Sequence, residues 1–170
     1  SLIEESFLVN GDASALASRL KGQTEGLVAI QEMLEVANNY LLTGANEEAG
    51  KLLEEAVELG EPFSSSPMVY YYKAFVALKT GDEVAAREAL KQADTCSPLH
   101  NYPLRLEEVN MFEALLQVQP DNAMLHYAYG NLLYYIGQKD KGLAEWQRST
   151  ELKHDFSVSW RNVGFAYGQF

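Results

Sequence analysis

The chain has 170 residues, 47% of them hydrophobic, an ordinary content for a folded protein and too high for a disordered one. Its formal charge is −11, with 12 acids and 3 bases in residues 1–66 against 12 and 10 in residues 67–170. An acidic chain repels phosphate backbones, which argues against nucleic acid as a partner. No apolar run is long enough to span a membrane, and the single cysteine, Cys96, can build neither an internal disulfide nor a cysteine-ligated zinc site.

In chain order, residues 1–23 read as an extension with a short helix, opened by the turn Asn10-Gly11-Asp12 and capped by Asp12 or Ser14. From Thr24 the apolar residues Ile30, Met33, Val36, Ala37, Tyr40 and Leu41 recur at helical steps, up to a Gly44 stop. A second helix from about Glu47 to Leu59 is expected to turn Ala49, Leu52, Leu53, Ala56, Val57 and Leu59 inward and Glu54, Glu55 and Glu58 outward. Residues 61–66, with a proline and three serines, read as a loop. Pro67 then starts a helix at the position where its missing N–H is harmless. Its return helix presents Val84, Ala85, Ala86, Ala89, Leu90 and Ala93. Between Pro98 and Pro120 there is room for one helix only. It is expected from about Pro103 to Val118, with Leu104, Leu106, Val109, Phe112, Leu115 and Leu116 as its apolar face. A hairpin follows, about 123–136 and 139–153, and a last helix runs from Ser157 to Phe170.

Two of these helices share a pattern. Trp160, Val163, Gly164 and Tyr167 repeat His126, Tyr129, Gly130 and Leu133 at a distance of 34 residues. A large–small–large signature with this period resembles the tetratricopeptide repeat (TPR), an antiparallel helix pair that stacks on its own copies. The register places repeats at 30–63, 67–100 and 123–156, a half repeat at 157–170 and the spacer helix at about 103–118. The expected fold class is all-α, a right-handed superhelical solenoid of antiparallel helix pairs over 24–170. Ser66-Pro67-Met68-Val69-Tyr70-Tyr71, Leu104-Arg105-Leu106-Glu107-Glu108-Val109, Pro120-Asp121-Asn122-Ala123 and Tyr129-Gly130-Asn131-Leu132-Leu133-Tyr134 are similar to the repeat region of large, mostly bacterial proteins. Those proteins also carry an N-terminal domain of unknown function. That resemblance implies a segment of a longer cytoplasmic protein, with a neighbouring domain related to carbohydrate. The acidic start Ser1-Leu2-Ile3-Glu4-Glu5, unlike a secretory signal, agrees with a cytoplasmic setting.

In this repeat the first helix of each pair lines a concave groove. The register puts Asn38, Met68, Tyr71, Phe75, Met124, Tyr127, Asn131, Tyr134, Arg161, Asn162 and Phe165 there, with Leu34 and Tyr135 among further positions. Rigid aromatics with a few amides suit the capture of a peptide; the same aromatics would equally serve to pack the spacer helix or an N-terminal segment into the groove. Asn131 and Asn162 fall where some repeat domains clamp a carboxylate, but Tyr127 stands where such a clamp needs a lysine. The three histidines share no metal-binding spacing, and there is no phosphate loop or nucleophile motif, so no metal, cofactor or catalytic residue is expected. The reading is a non-catalytic scaffold for a protein or peptide. Its alternative is a structural spacer or dimerisation segment of a larger protein, pairing through the uncovered apolar face of the half repeat.

Overall fold

The computed structural model describes residues 26–168; the expected N-terminal helix, the Thr24 cap and Phe170 lie outside the described residues. Among the described residues there are eight α-helices, two short 3-10 helices and no strand. The fold class is all-α, built of antiparallel helix pairs. The chain divides into two compact units, one ending at Cys96 and the other beginning at Ser97.

The first unit contains α1 (Gly26–Thr43), α2 (Asn46–Glu58), α3 (Pro67–Lys79) and α4 (Glu83–Ala93). α1 buries Ala29, Ile30, Met33, Leu34, Val36 and Ala37, so Leu34 belongs to the core and not to an open groove. α2 answers with Ala49, Leu52, Leu53 and Ala56. The turn between them needs a left-handed residue, and Gly44 supplies it at φ 81° while the Ala45 N–H donates to the Tyr40 carbonyl at 2.9 Å. Asp82 caps α4 by accepting from the Ala85 N–H at 2.9 Å.

Three further expectations are corrected in this unit. The loop over 61–66 contains a 3-10 turn, Phe63–Ser65, whose Phe63 ring is fully buried. The Tyr70 hydroxyl, donating to the Ser64 carbonyl at 3.0 Å, ties that turn to α3. Val84 and Ala85 do not face the core; Val84 is 80% exposed. The buried stripe of α4 is Ala86, Ala89, Leu90 and Ala93, and a residue two places before Ala86 points about 200° away from it. Met68 and Tyr71, expected to line a groove, are 1% and 0% exposed. The first two turns of α3 are buried on every side, Pro67 to Tyr72 without a break, as in a helix surrounded by neighbours.

The second unit contains a 3-10 turn, Pro98–His100, followed by α5 (Glu108–Val118), α6 (Ala123–Tyr135), α7 (Lys139–Leu152) and α8 (Ser157–Gly168). The spacer helix begins at Glu108, not near Pro103. Leu104 and Leu106, placed on its apolar face by the sequence, are 43% and 67% exposed, and Met111 joins Phe112 and Leu115 in the core instead. The Glu108 carboxylate, itself 1% exposed, explains the late start. It accepts from the backbone N–H groups of Leu104 and Arg105 at 2.7 and 3.1 Å, and Arg105 Nη1 lies 3.3 Å from its other oxygen. Those N–H groups are therefore satisfied outside a helix, and the chain ahead of them stays extended.

α6 and α7 form the tightest hairpin. Asn122 caps α6 by accepting from the Leu125 N–H at 2.9 Å, and Gly137 closes the turn at φ 87°. Gly130 and Gly142 bring the two backbones together, and the Trp146 ring lies against Gly130. His126 occupies a packing position, as expected, but also carries a polar link. Its Nδ1 faces the Glu145 carboxylate and its Nε2 faces the Pro120 carbonyl at 2.8 Å. Two acceptors call for two N–H groups, so the imidazolium is the form that satisfies both. Burial alone would lower the pKa, and Arg148 adds to that; the bonds to Glu145 and Pro120 outweigh both and leave it raised. The resulting stabilisation is complete below the unfolded value of 6.5 and is lost as pH rises through the higher folded value. The melting temperature of the native chain is therefore expected to fall over that window, and His126→Gln to flatten the fall; equal pH slopes in the two would refute the assignment.

Candidate functional site

The second unit holds a cavity of about 320 Å³ with three walls. Its floor is α6, through Tyr127, Asn131 and Tyr135. One side is α8, through Arg161 and Asn162, and the other is the extended segment before α5, through Leu99, Asn101, Tyr102, Pro103 and Leu104. Pro103 keeps this segment out of a helix: its ring holds Tyr102 in extended backbone and removes one donor.

Asn131 is the joint of the pocket. Its Oδ1 accepts from Trp146 Nε1 and from Asn162 Nδ2, each at 3.0 Å. Its Nδ2 donates to the Asn101 carbonyl at 3.4 Å. One side chain thus ties α6 to α7, to α8 and to the extended segment. Arg161 Nη2 donates to Asn162 Oδ1 at 3.4 Å. Arg161 is the one charged side chain of the lining, and it has no carboxylate partner among the described residues. Tyr135 is 66% exposed and Tyr102 47%, so two phenol rings stand at the mouth.

Tyr127, Asn131, Arg161 and Asn162, all expected in the groove, line this one cavity. Met124, Tyr134 and Phe165 do not line the cavity. Tyr134 instead stacks on Trp146 at 4.8 Å between ring centroids, meets the edge of Phe165 at 6.2 Å and lies under Lys139 Nζ. Asn38, Met68, Tyr71 and Phe75 belong to the other unit. The wall from Leu99 to Leu104 was missed, because Pro103 was read as the first residue of a helix. The run Asn101-Tyr102-Pro103 was the available signal, since a residue before proline is biased away from helix.

No group of three or more His, Cys, Asp or Glu side chains that could hold a metal occurs among the described residues. The lining residues combine rings, amides and one guanidinium. Such a surface can stack on apolar groups, donate hydrogen bonds and pair with one anionic or strongly accepting group. No described helix is long and apolar enough to cross a membrane.

No family model and no curated protein matches the chain. Among solved structures it is similar to one described as the crystal structure of MamA, at 16% identity over 98% of this chain and 83% of that one, with a TM-score of 0.40. It is also similar to YrrB, described as a TPR protein with an unusual peptide-binding site, at 17% identity over 95% of this chain and 97% of that one, with a TM-score of 0.34.

Proposed function

We propose that the chain is a non-catalytic scaffold that docks a short peptide segment of a partner protein in the pocket between α6, α8 and residues 99–104. The observation that carries this reading is Arg161, bonded to Asn162 and without a carboxylate partner among the described residues, in a described lining with three tyrosines and no acid. In a protein of net charge −11, a cation left without a carboxylate offers charge-assisted donors to a ligand. A cavity of 320 Å³ is at the small end of ligand pockets, roughly 300–1,000 Å³, and suits a few side chains better than a folded surface. Asn162 and Arg161 would hold acceptor groups of the peptide, and Tyr102 and Tyr135 would cover an apolar side chain.

The test is to select binders from a random peptide library on the chain and measure their affinity by calorimetry. Arg161→Ala and Tyr135→Ala change exposed side chains and should leave the fold intact. Each is expected to weaken the selected peptides by about tenfold to a hundredfold. Selection of no peptide, or equal affinity in both variants, would refute the reading. Tyr71→Ala is unsuitable as a probe, because Tyr71 is fully buried.

The alternative role, a structural or dimerisation segment of a larger protein, draws its support from a different observation, the uncovered face of α8. Trp160 and Tyr167 are each half or more exposed there.

A further inference from the structure

α8 buries one apolar face, and a second is left uncovered by the described residues. Ser159, Val163 and Ala166 are buried in the packing between α7 and α8. About 100° round the helix lie Trp160, Gly164 and Tyr167, 50% exposed at Trp160 and 58% at Tyr167. No atom of the described residues lies within 4 Å of a Cβ built on Gly164. The equivalent face of α6, 34 residues earlier, shows what such a surface receives. There Gly130 is filled by the Trp146 ring of the antiparallel α7, and four residues further along α6 the glycine of α7, Gly142, meets the backbone of Tyr134. An aromatic opposite a glycine, then a glycine opposite an aromatic, is the code of that interface.

α8 carries both halves of the code itself. Trp160 and Gly164 are four residues apart and point about 40° from each other. We propose that α8 pairs antiparallel with α8 of a second copy of the chain, each Trp160 seated on the partner's Gly164. The two contacts are then satisfied by one register, as twofold symmetry requires of a self-complementary surface. Two further features favour a second copy. α8 contains no acid in a protein of net charge −11, so the chain's negative charge does not oppose pairing there; its one charge, Arg161, lies about 100° round the helix from Trp160. Both aromatic rings are already held: Trp160 Nε1 donates to the His154 carbonyl at 2.9 Å, and the Tyr167 hydroxyl accepts from Gln147 Nε2 at 2.7 Å. Rings fixed before association lose little entropy on binding. This inference rests on the dimerisation reading of α8 and is separate from the pocket.

Light scattering on the full chain over a wide concentration range tests it. The native chain is expected to show a concentration-dependent dimer. Gly164→Leu fills the empty site without touching the fold and should weaken association about tenfold to a hundredfold, with the unfolding midpoint unchanged or raised. Trp160→Ala should weaken it similarly. In a Cys96→Ser background, a mixture of Trp160→Cys and Gly164→Cys chains should form the mixed disulfide in preference to either like pair. A chain monomeric at every concentration, a dimer that Gly164→Leu leaves intact, or like-pair cross-links formed as readily as the mixed one would each overturn the proposal. Peptide affinity measured on the monomeric variant reports on the pocket alone, so the failure of one reading is distinguishable from the failure of the other.

Discussion

Gly142→Ala and Gly130→Ala are each expected to destabilise the second unit by about 1–2 kcal/mol, although alanine is the better helix former. The gain from propensity is ~0.5–1 kcal/mol, and overpacking costs ~1–3 kcal/mol. Geometry decides which wins. A Cβ on Gly142 would lie 2.8 Å from the Tyr134 nitrogen and 2.9 Å from the Gly130 oxygen, both backbone atoms of a helix that can move only as a whole. A Cβ on Gly130 would lie 2.5 Å from Trp146 Cδ1. That ring is pinned by its bond to Asn131 and by its stacking on Tyr134. Gly142 is the less forgiving of the two, because its neighbours are main chain. Gly164→Ala, at the same repeat position with open space around it, should gain up to ~1 kcal/mol. Denaturant midpoints of the three variants check the ranking. An equal effect at Gly130 and Gly164 would show that backbone propensity, and not the closeness of the α6–α7 pair, sets the outcome. The pocket is coupled to this packing, since displacing Trp146 removes one of the two donors to Asn131 Oδ1.

Glu108→Ala is expected to cost about 3 kcal/mol and to release the pocket wall. The carboxylate is 1% exposed and serves two backbone N–H groups and the Arg105 guanidinium at once. Truncation leaves all three donors without it, and they can be rehydrated only if residues 99–105 swing towards water. The loss should therefore appear in two places: a lower unfolding midpoint, and faster hydrogen exchange at the amides of Leu104 and Arg105. Peptide affinity should fall with them, because that wall supplies Leu99, Asn101, Tyr102, Pro103 and Leu104 to the cavity. Glu108→Gln keeps one carbonyl acceptor and should fall between the two. Unchanged amide exchange in Glu108→Ala would show that the segment is held by Pro103 and its neighbours without the carboxylate.

Periodic and capping signals were legible in the chain because they are local. The steps of three and four in α1, Pro67 at the start of α3 and the glycine stop at Gly44 depend on neighbours within one helical turn. The 34-residue spacing of Gly130 and Gly164 extends that reading to a register, which assigns Asn131, Arg161 and Asn162 to the expected groove. The register could not tell Tyr134 from Tyr135. Both lie at groove positions, and only the stacking of Trp146 withdraws Tyr134 and leaves Tyr135 at the mouth.

What the amino-acid order determined by itself was the helix content, the pairing of helices into hairpins and the small residues that let them approach. These follow from backbone sterics and from the 3.6-residue period. Only the tertiary structure decided which apolar and polar residues are covered. Tyr71 is buried because α3 is enclosed on every side, and Trp160 is exposed because nothing described lies over Gly164. The start of α5 was decided the same way, by a carboxylate that becomes a cap once it is buried against the chain preceding it. Burial is a property of the elements that surround a residue, and a single helix carries no record of its neighbours.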